Sequence, residues 1–206
     1  NLTTKFQYAG ILDASGDLDR TMFRDENATK LISNYSAAWA RIAFERRQAG
    51  DKDGAIEALW NAGRISPEYR PYLAAMGALL VEAERFDEAR AFYEKSLAIA
   101  KTDVERYDAE MGLGMVHERT KNYEAAEAAY RQSLQYSPLS QEPYFSLYQM
   151  FFLTGDLERS AGVLREWLAR NPGDAKTRQR LEALERQIQA RSGDLASEPA
   201  TLLLAY

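Results

Sequence analysis

The sequence predicts an all-α protein, a solenoid of stacked antiparallel helix hairpins. The first observation is a spacing of Ala, a large residue, a small residue and Pro, as in Ala126, Tyr130, Ser133 and Pro138. This spacing recurs with a period of about 34 residues. The second observation is an apolar pattern upstream of each copy. One hairpin is too small to bury its own apolar faces, so neighbouring hairpins must stack.

Each repeat contains a first helix, A, and a second helix, B. The further copies of the helix B spacing are Ala55, Leu59, Ala62 and Pro67; Ala89, Tyr93 and Ser96; and Ser160, Leu164, Trp167 and Pro172. The helix A positions are Trp39, Ile42 and Ala43; Leu73, Met76 and Gly77; Leu113 and Gly114; and Tyr144, Leu147 and Tyr148. Small residues on both helices are expected to let the two helices of a hairpin approach closely.

These positions resemble the tetratricopeptide repeat family. The resemblance implies a right-handed superhelical solenoid in which the A helices line a concave groove. We predict one domain over 36–174 with four repeats, at 36–69, 70–103, 107–140 and 141–174. The third repeat begins three residues late, which predicts a longer loop or helix end before it.

The turns between helices A and B differ among the repeats. Gly50 and Gly155 stand where a left-handed backbone is useful, but Glu84 and Lys121 stand there in the two middle repeats. A side chain is disfavoured in that conformation. The two middle turns are therefore predicted to be less relaxed.

The last part of the chain predicts a capping helix and an apolar tail. Leu181, Leu184 and Ile188 recur at helical spacing and indicate a helix over 175–192 that ends at Gly193. Trp167 replaces a small residue, which suggests that the fourth repeat packs against this helix. The tail, 193–206, contains Leu202, Leu203, Leu204 and Tyr206. It either docks on its own domain or a neighbour's, or it is a disordered terminus.

The N-terminal segment, 1–35, predicts a linker and the lead-in of a long helix that starts near Asp25. It resembles the stretch before the C-terminal tetratricopeptide region of bacterial multi-pass membrane proteins related to protein O-mannosyltransferases, in the GT-C glycosyltransferase group. The shared residues are Tyr8, Gly10, Asp13, Leu18, Asp19, Asn34, Tyr35, Arg41, Ile42 and Ala43.

This second resemblance implies a domain of a larger membrane enzyme, on the extracytoplasmic side; a cytoplasmic location is the alternative. The absence of an initiator Met before Asn1 also favours an excised fragment. In that family the membrane part holds the catalytic apparatus, so no catalytic residue is carried over to this chain.

Composition argues against several functions. The net charge is -5 and no run of Lys and Arg gathers on one stretch, which argues against nucleic-acid binding. The chain has no cysteine, so disulfides, zinc-thiolate sites and thiol nucleophiles are excluded. No apolar run approaches the roughly 18 residues of a membrane span. We expect a soluble chain that meets a membrane only through a region upstream.

We predict no catalytic residue, no metal site and no cofactor. His117, the one histidine, falls inside the third repeat. Two interpretations stay open, a half-buried structural side chain and a general base. The glycines of "GLGMVH", 112–117, lie inside helix A, where they serve close packing instead of phosphate binding.

Binding is the function that remains. We predict that the A helices hold an extended peptide or apolar segment by shape, with Met supplying adaptability. The candidate ligand-binding residues are Arg41, Phe44, Arg47, Ala74, Ala78, Val81, Met111, Met115, Glu118, Phe145, Gln149 and Phe152. A groove filled by the protein's own termini is the alternative. Two classes of function compete, an accessory domain of a membrane glycosyltransferase and a free-standing scaffold or peptide-binding adaptor.

Overall fold

The computed structural model describes residues 26–65 and 70–197, which form α-helices joined by short turns. The all-α class is confirmed in these ranges. The helices are α1 (Glu26–Gln48), α2 (Lys52–Ile65), α3 (Arg70–Glu82), α4 (Phe86–Ile99), α5 (Asp103–Arg119), α6 (Tyr123–Tyr136), α7 (Gln141–Leu153), α8 (Leu157–Arg170) and α9 (Ala175–Ser197). The predictions for residues 1–25 and for Leu202 to Tyr206 lie outside the described residues.

The chain divides into two compact units, with the boundary between Lys101 and Thr102. In the first unit α1 packs against α2, α2 against α3 and α3 against α4. In the second unit α5 to α9 pack in the same sequential way. This boundary lies near the end of the second predicted repeat, 70–103, and the single domain over 36–174 stays a prediction.

The late start of the third repeat is a helix extension. Helix α5 begins at Asp103, before the predicted start at Tyr107. Its start is fixed by a capping box: the Glu105 N–H donates to Thr102 Oγ1 at 3.2 Å, and the Thr102 N–H donates to Glu105 Oε2 at 3.1 Å. The extra residues therefore add a turn to the helix.

Glycines set the distance between helices within the hairpins, as predicted. A Cβ atom on Gly77 would lie 2.2 Å from Cζ of Tyr93, and one on Gly114 would lie 2.4 Å from Cε1 of Tyr130. Carbon atoms in contact are normally about 3.5–4.0 Å apart. The tyrosine ring therefore occupies the space that a side chain would need. The predicted small residues Ala43, Ala55, Ala89 and Ala126 are buried as well.

The four hairpin turns share one backbone geometry. The second residue after helix A has positive φ in each: 81° at Gly50, 60° at Glu84, 61° at Lys121 and 83° at Gly155. The next N–H donates to the carbonyl five residues back, as from Asn122 to His117 at 2.8 Å, which is the Schellman arrangement. The two middle turns therefore carry the strain that the sequence predicted.

We expect Lys121→Gly to stabilise the protein by about 0.5–1 kcal/mol, because glycine removes the left-handed penalty at this exposed position. Gly155→Ala is the matched control. A Cβ there meets nothing within 4 Å, so only the backbone is strained and stability should fall. Urea unfolding measures both. Loss of stability in Lys121→Gly would show that the positive φ of Lys121 is not strained.

The capping helix is longer than predicted. Helix α9 continues through Gly193 to Ser197. A glycine inside a helix costs about 1 kcal/mol relative to alanine but keeps its N–H, so it does not end the helix. The predicted boundary at 192 was wrong for this reason.

Helix α9 does pack against the fourth repeat, but its apolar contact is made through Leu184 and not through Trp167. Leu184 of α9 is buried with Leu157, Ala161 and Leu164 of α8. Trp167 belongs to a different cluster, where its ring lies 5.4 Å from that of Tyr144 on α7. Its large side chain fills space inside the repeat.

Candidate functional site

Helix α7 presents three aromatic rings on one side. Phe145, Tyr148 and Phe152 are three and four residues apart, the spacing that places side chains on one face of a helix. The ring centroids of Phe145 and Tyr148 are 6.1 Å apart, and those of Tyr148 and Phe152 are 5.9 Å apart. Gln149 lies on the same face and is exposed. We call these four residues the α7 face.

The outer rings of the α7 face are partly exposed, whereas the middle ring is half-buried. Phe145 and Phe152 are 37% and 40% exposed. Tyr148 is half-buried and packs against the cores of both the fourth repeat and the α8–α9 contact. The guanidinium carbon of Arg180, on α9, lies 5.4 Å from the Phe145 ring. The rings are thus held in place while their outer edges stay available.

The candidates on α5 are more enclosed. Met111, Met115 and Glu118 are all half-buried. Met111 packs against the core of the fourth repeat, and its Sδ accepts a hydrogen bond from Ser133 Oγ at 3.3 Å. Glu118 Oε2 accepts from the Tyr130 hydroxyl at 2.8 Å. Burial, and after it the hydrogen bond to Glu118, raises the pKa of Tyr130. Glu118 therefore holds the ring that packs on Gly114.

The other six candidates lie in the first unit. Phe44 is 60% exposed on α1, and Ala78 is exposed on α3. Both arginines are paired: Arg41 with Glu45 at 3.3 Å, and Arg47 with Glu82 at 2.7 Å. Val81 is only 2% exposed and belongs to the core. The side chain of Ala74, in α3, lies outside the described part of the structure.

The structure thus brings together three predicted residues, Phe145, Gln149 and Phe152. Two residues that were not predicted, Tyr148 and Arg180, contact this group. Tyr148 was assigned to the hairpin core, although its spacing from Phe145 and Phe152 could have indicated this face. Arg180 reaches Phe145 from a different helix, and no local pattern in the sequence signals that contact. His117 is half-buried in the last turn of α5.

Two further properties concern the described residues alone. No helix within 26–65 or 70–197 combines the length and apolar character needed to cross a bilayer. In the same ranges, no three histidine, aspartate or glutamate side chains are grouped so that they could hold a metal ion.

Asp174 ties the fourth repeat to α9. Its Oδ1 accepts from the Thr177 N–H at 3.0 Å, and its Oδ2 accepts from the Thr177 hydroxyl at 2.7 Å and from the Trp167 indole at 2.8 Å. The backbone N–H of Thr177, and after it these two side chains, lower the pKa of Asp174 from 3.8 to about 2. The ionised carboxylate is the form that caps α9.

The lowered pKa predicts a loss of stability in acid. A carboxyl whose pKa is lower in the folded state stabilises it fully above the unfolded pKa, and this contribution disappears as the pH falls through the folded pKa. We therefore expect Asp174→Asn to unfold at lower urea concentration than wild type at pH 7, with the difference vanishing between pH 4 and pH 2. Asp174→Ser keeps a capping oxygen that does not titrate and is the control. If wild type is still more stable to urea than Asp174→Asn by the same amount at pH 2, the ionised carboxylate of Asp174 is not the cap.

The comparisons with known proteins agree with this helical arrangement. Two family models match the sequence, both described as tetratricopeptide repeat, over residues 71–137 and 111–175. Together the two matches span 71–175, about half of the chain, and include the α7 face. The chain is a tetratricopeptide repeat protein.

Solved structures share the fold. PilW, a widely conserved type IV pilus biogenesis factor, superposes with a TM-score of 0.58 at 22% identity, over 80% of this chain and 81% of PilW. MamA from Desulfovibrio magneticus RS-1 gives 0.55 at 17% identity, over 75% and 86%. Another MamA structure gives 0.54 at 16% identity, over 84% and 97%. These identities establish the fold alone.

No curated protein sequence matches this chain. The resemblance of the N-terminal segment to the glycosyltransferase-related proteins therefore stays a prediction.

Proposed function

We propose that this chain is a protein-interaction module, and that its α7 face binds an extended, mostly apolar segment of a partner protein. The observation that carries the proposal is the row of three rings of which the two outer ones, Phe145 and Phe152, are exposed. In tetratricopeptide repeats the A helices line the ligand-binding groove, and α7 is the A helix of the fourth repeat.

The spacing of the rings suits an extended peptide. Alternate side chains of a strand point to the same side and lie about 6.6 Å apart. The centroids along the α7 face are 6.1 Å and 5.9 Å apart. Alternate apolar side chains of the ligand can therefore sit against successive rings. Aromatic residues, Phe among them, are also enriched in protein interfaces relative to the rest of the surface.

The polar groups beside the face set the character of the ligand. Gln149 can donate and accept hydrogen bonds with a peptide backbone. The guanidinium group of Arg180 lies against the Phe145 ring. Its positive charge repels basic side chains, so we expect a ligand without basic residues at the Phe145 end of the α7 face. We infer a neutral or weakly acidic apolar segment, recognised by shape.

Selection from a phage-displayed library of random peptides, with the full chain as the target, tests the proposal. We expect selected peptides to carry apolar side chains at alternate positions and to bind with micromolar dissociation constants. Selection of peptides without this alternation, or peptides that bind equally well after Phe152→Ser, would refute the α7 face as the site.

We further propose that the module is the extracytoplasmic, accessory domain of a membrane glycosyltransferase-like protein and helps to position its acceptor protein. The N-terminal resemblance, from Tyr8 to Ala43, supports this setting. The alternative is a free-standing or cytoplasmic adaptor unrelated to sugar transfer. The gene separates the two: several hydrophobic spans encoded upstream of Asn1 favour the membrane enzyme, and a start codon immediately before it favours the adaptor.

A further inference from the structure

We propose that residues 198–206 of this same chain occupy the α7 face and compete with partner peptides for it. This inference rests on the proposed function, since it names a ligand for the same site. The segment reads "EPATLLLAY", and its apolar residues are Leu202, Leu203, Leu204 and Tyr206. Three features support this occupant: the direction of α9, the reach of the segment, and the match of its chemistry to the face.

Helix α9 contacts the α7 face where Arg180 meets Phe145. Two helices that pack together across a connection of two to five residues are antiparallel, and the connections 154–156 and 171–174 are this short, so we infer that α9 runs parallel to α7. Arg180, near the start of α9, lies over Phe145, near the start of α7. Equal numbers of residues along two parallel helices cover equal distances. Phe152 is seven residues after Phe145, so it lies level with residue 187 of α9, which is seven residues after Arg180.

The segment is long enough to return to the face. Helix α9 ends at Ser197, ten residues beyond the level of Phe152, which is about 15 Å along the helix axis. An extended chain covers about 3.3 Å per residue, so the five steps from Ser197 to Leu202 span about that distance. Pro199 cannot continue a helix, which favours a change of direction at this point. On this path Leu202 to Leu204 would reach Phe152, and Tyr206 would reach Tyr148.

The chemistry of the segment matches that of the face. Glu198 is the one charged side chain among its nine residues, and it lies at the end nearest to α9. Leu202, Leu204 and Tyr206 alternate, so in an extended chain they point to one side. This is the pattern that the three rings of the α7 face require. A short tether also keeps such a ligand at a millimolar effective concentration, even where its intrinsic affinity is low.

Occupancy by the tail would regulate the site. The apparent dissociation constant for a partner peptide equals the intrinsic one divided by the fraction of open face. A partner must then bind more tightly than the tethered segment, or present a higher concentration. The tail would also shield the exposed edges of Phe145 and Phe152 when no partner is present.

A disulfide trapping experiment tests the position of the tail, because the chain has no cysteine of its own. The full-length variant Gln149→Cys/Leu204→Cys is oxidised and compared with Gln135→Cys/Leu204→Cys, whose first cysteine lies at an exposed position of α6. A disulfide forms only where the two Cα atoms approach to about 4.4–6.8 Å. We expect the 149–204 bond to form within one chain at least about tenfold faster than the 135–204 bond. Equal rates would overturn the proposal, and so would a 149–204 bond that joins two chains, since the occupant would then be a second copy.

A binding measurement separates this inference from the proposed function. The full-length variant Leu202→Ser/Leu203→Ser/Leu204→Ser should bind a library-selected peptide about tenfold more tightly than wild type, because the competitor is lost. Equal affinities would overturn the tail as occupant while leaving the α7 face as a peptide site. If neither chain binds any selected peptide, the proposed function itself fails.

Discussion

Gly114→Ala is expected to lower the free energy of unfolding by about 2–3 kcal/mol, the upper range for adding a methyl group to a filled core. The added Cβ would lie 2.4 Å from Cε1 and 2.5 Å from Cδ1 of Tyr130. Tyr130 is 2% exposed, and its hydroxyl is held by Glu118. The ring therefore has little room to move, and helices α5 and α6 must separate.

The chain offers a matched control for this substitution. Gly162, inside α8, has nothing within 4 Å of the position of a Cβ atom. Gly162→Ala should therefore stabilise the protein by up to about 1 kcal/mol, because alanine favours the helix over glycine. The same change then has opposite signs at the two positions, as measured by urea unfolding.

A double variant tests the cause of the loss. Gly114→Ala/Tyr130→Leu exchanges the ring for a smaller side chain and should be more stable than the sum of its single variants implies, by about 1 kcal/mol or more. Additive losses would show that contact between the added methyl group and the ring is not responsible.

Replacing the outer rings of the α7 face is expected to weaken peptide binding strongly. Phe145→Ser/Phe152→Ser should raise the dissociation constant for a library-selected peptide at least about 30-fold, which corresponds to the loss of about 2 kcal/mol at an interface hot spot. Both side chains are partly exposed, so the fold should tolerate their loss. Fluorescence anisotropy of the labelled peptide measures the affinity.

Tyr123→Ser provides the matched control for the binding loss. Tyr123 is 39% exposed, close to the values for Phe145 and Phe152, but it begins α6, a B helix of the same unit. Its replacement should leave the dissociation constant unchanged. If it weakens binding as much as the double variant does, the peptide contacts a broader surface than the α7 face.

The repeat pattern was sufficient to predict the helices and their order. Ala, Gly and Tyr at fixed positions report contacts inside a hairpin, such as that between Gly114 and Tyr130, and these are local in sequence. The positive φ of Glu84 and Lys121 was predictable for the same reason. The end of α9 was missed, because a glycine lowers helix stability without forbidding the helix.

The candidate site was predicted less well, because exposure depends on partners distant in sequence. Val81 is buried, and Arg47 is paired with Glu82 from the next hairpin. Helical spacing placed Phe145 and Phe152 on one side of α7 correctly. It did not reveal Arg180, which reaches the Phe145 ring from α9.

Site-specific photo-crosslinking tests the central claim, that the α7 face binds an apolar peptide, most directly. A benzophenone amino acid replaces Phe152 in one full-length protein and Tyr123 in another, and each is irradiated with the same library-selected peptide. We expect the peptide to be attached at position 152 and not at position 123, as read by mass spectrometry. Attachment at 123 with none at 152 would contradict this claim.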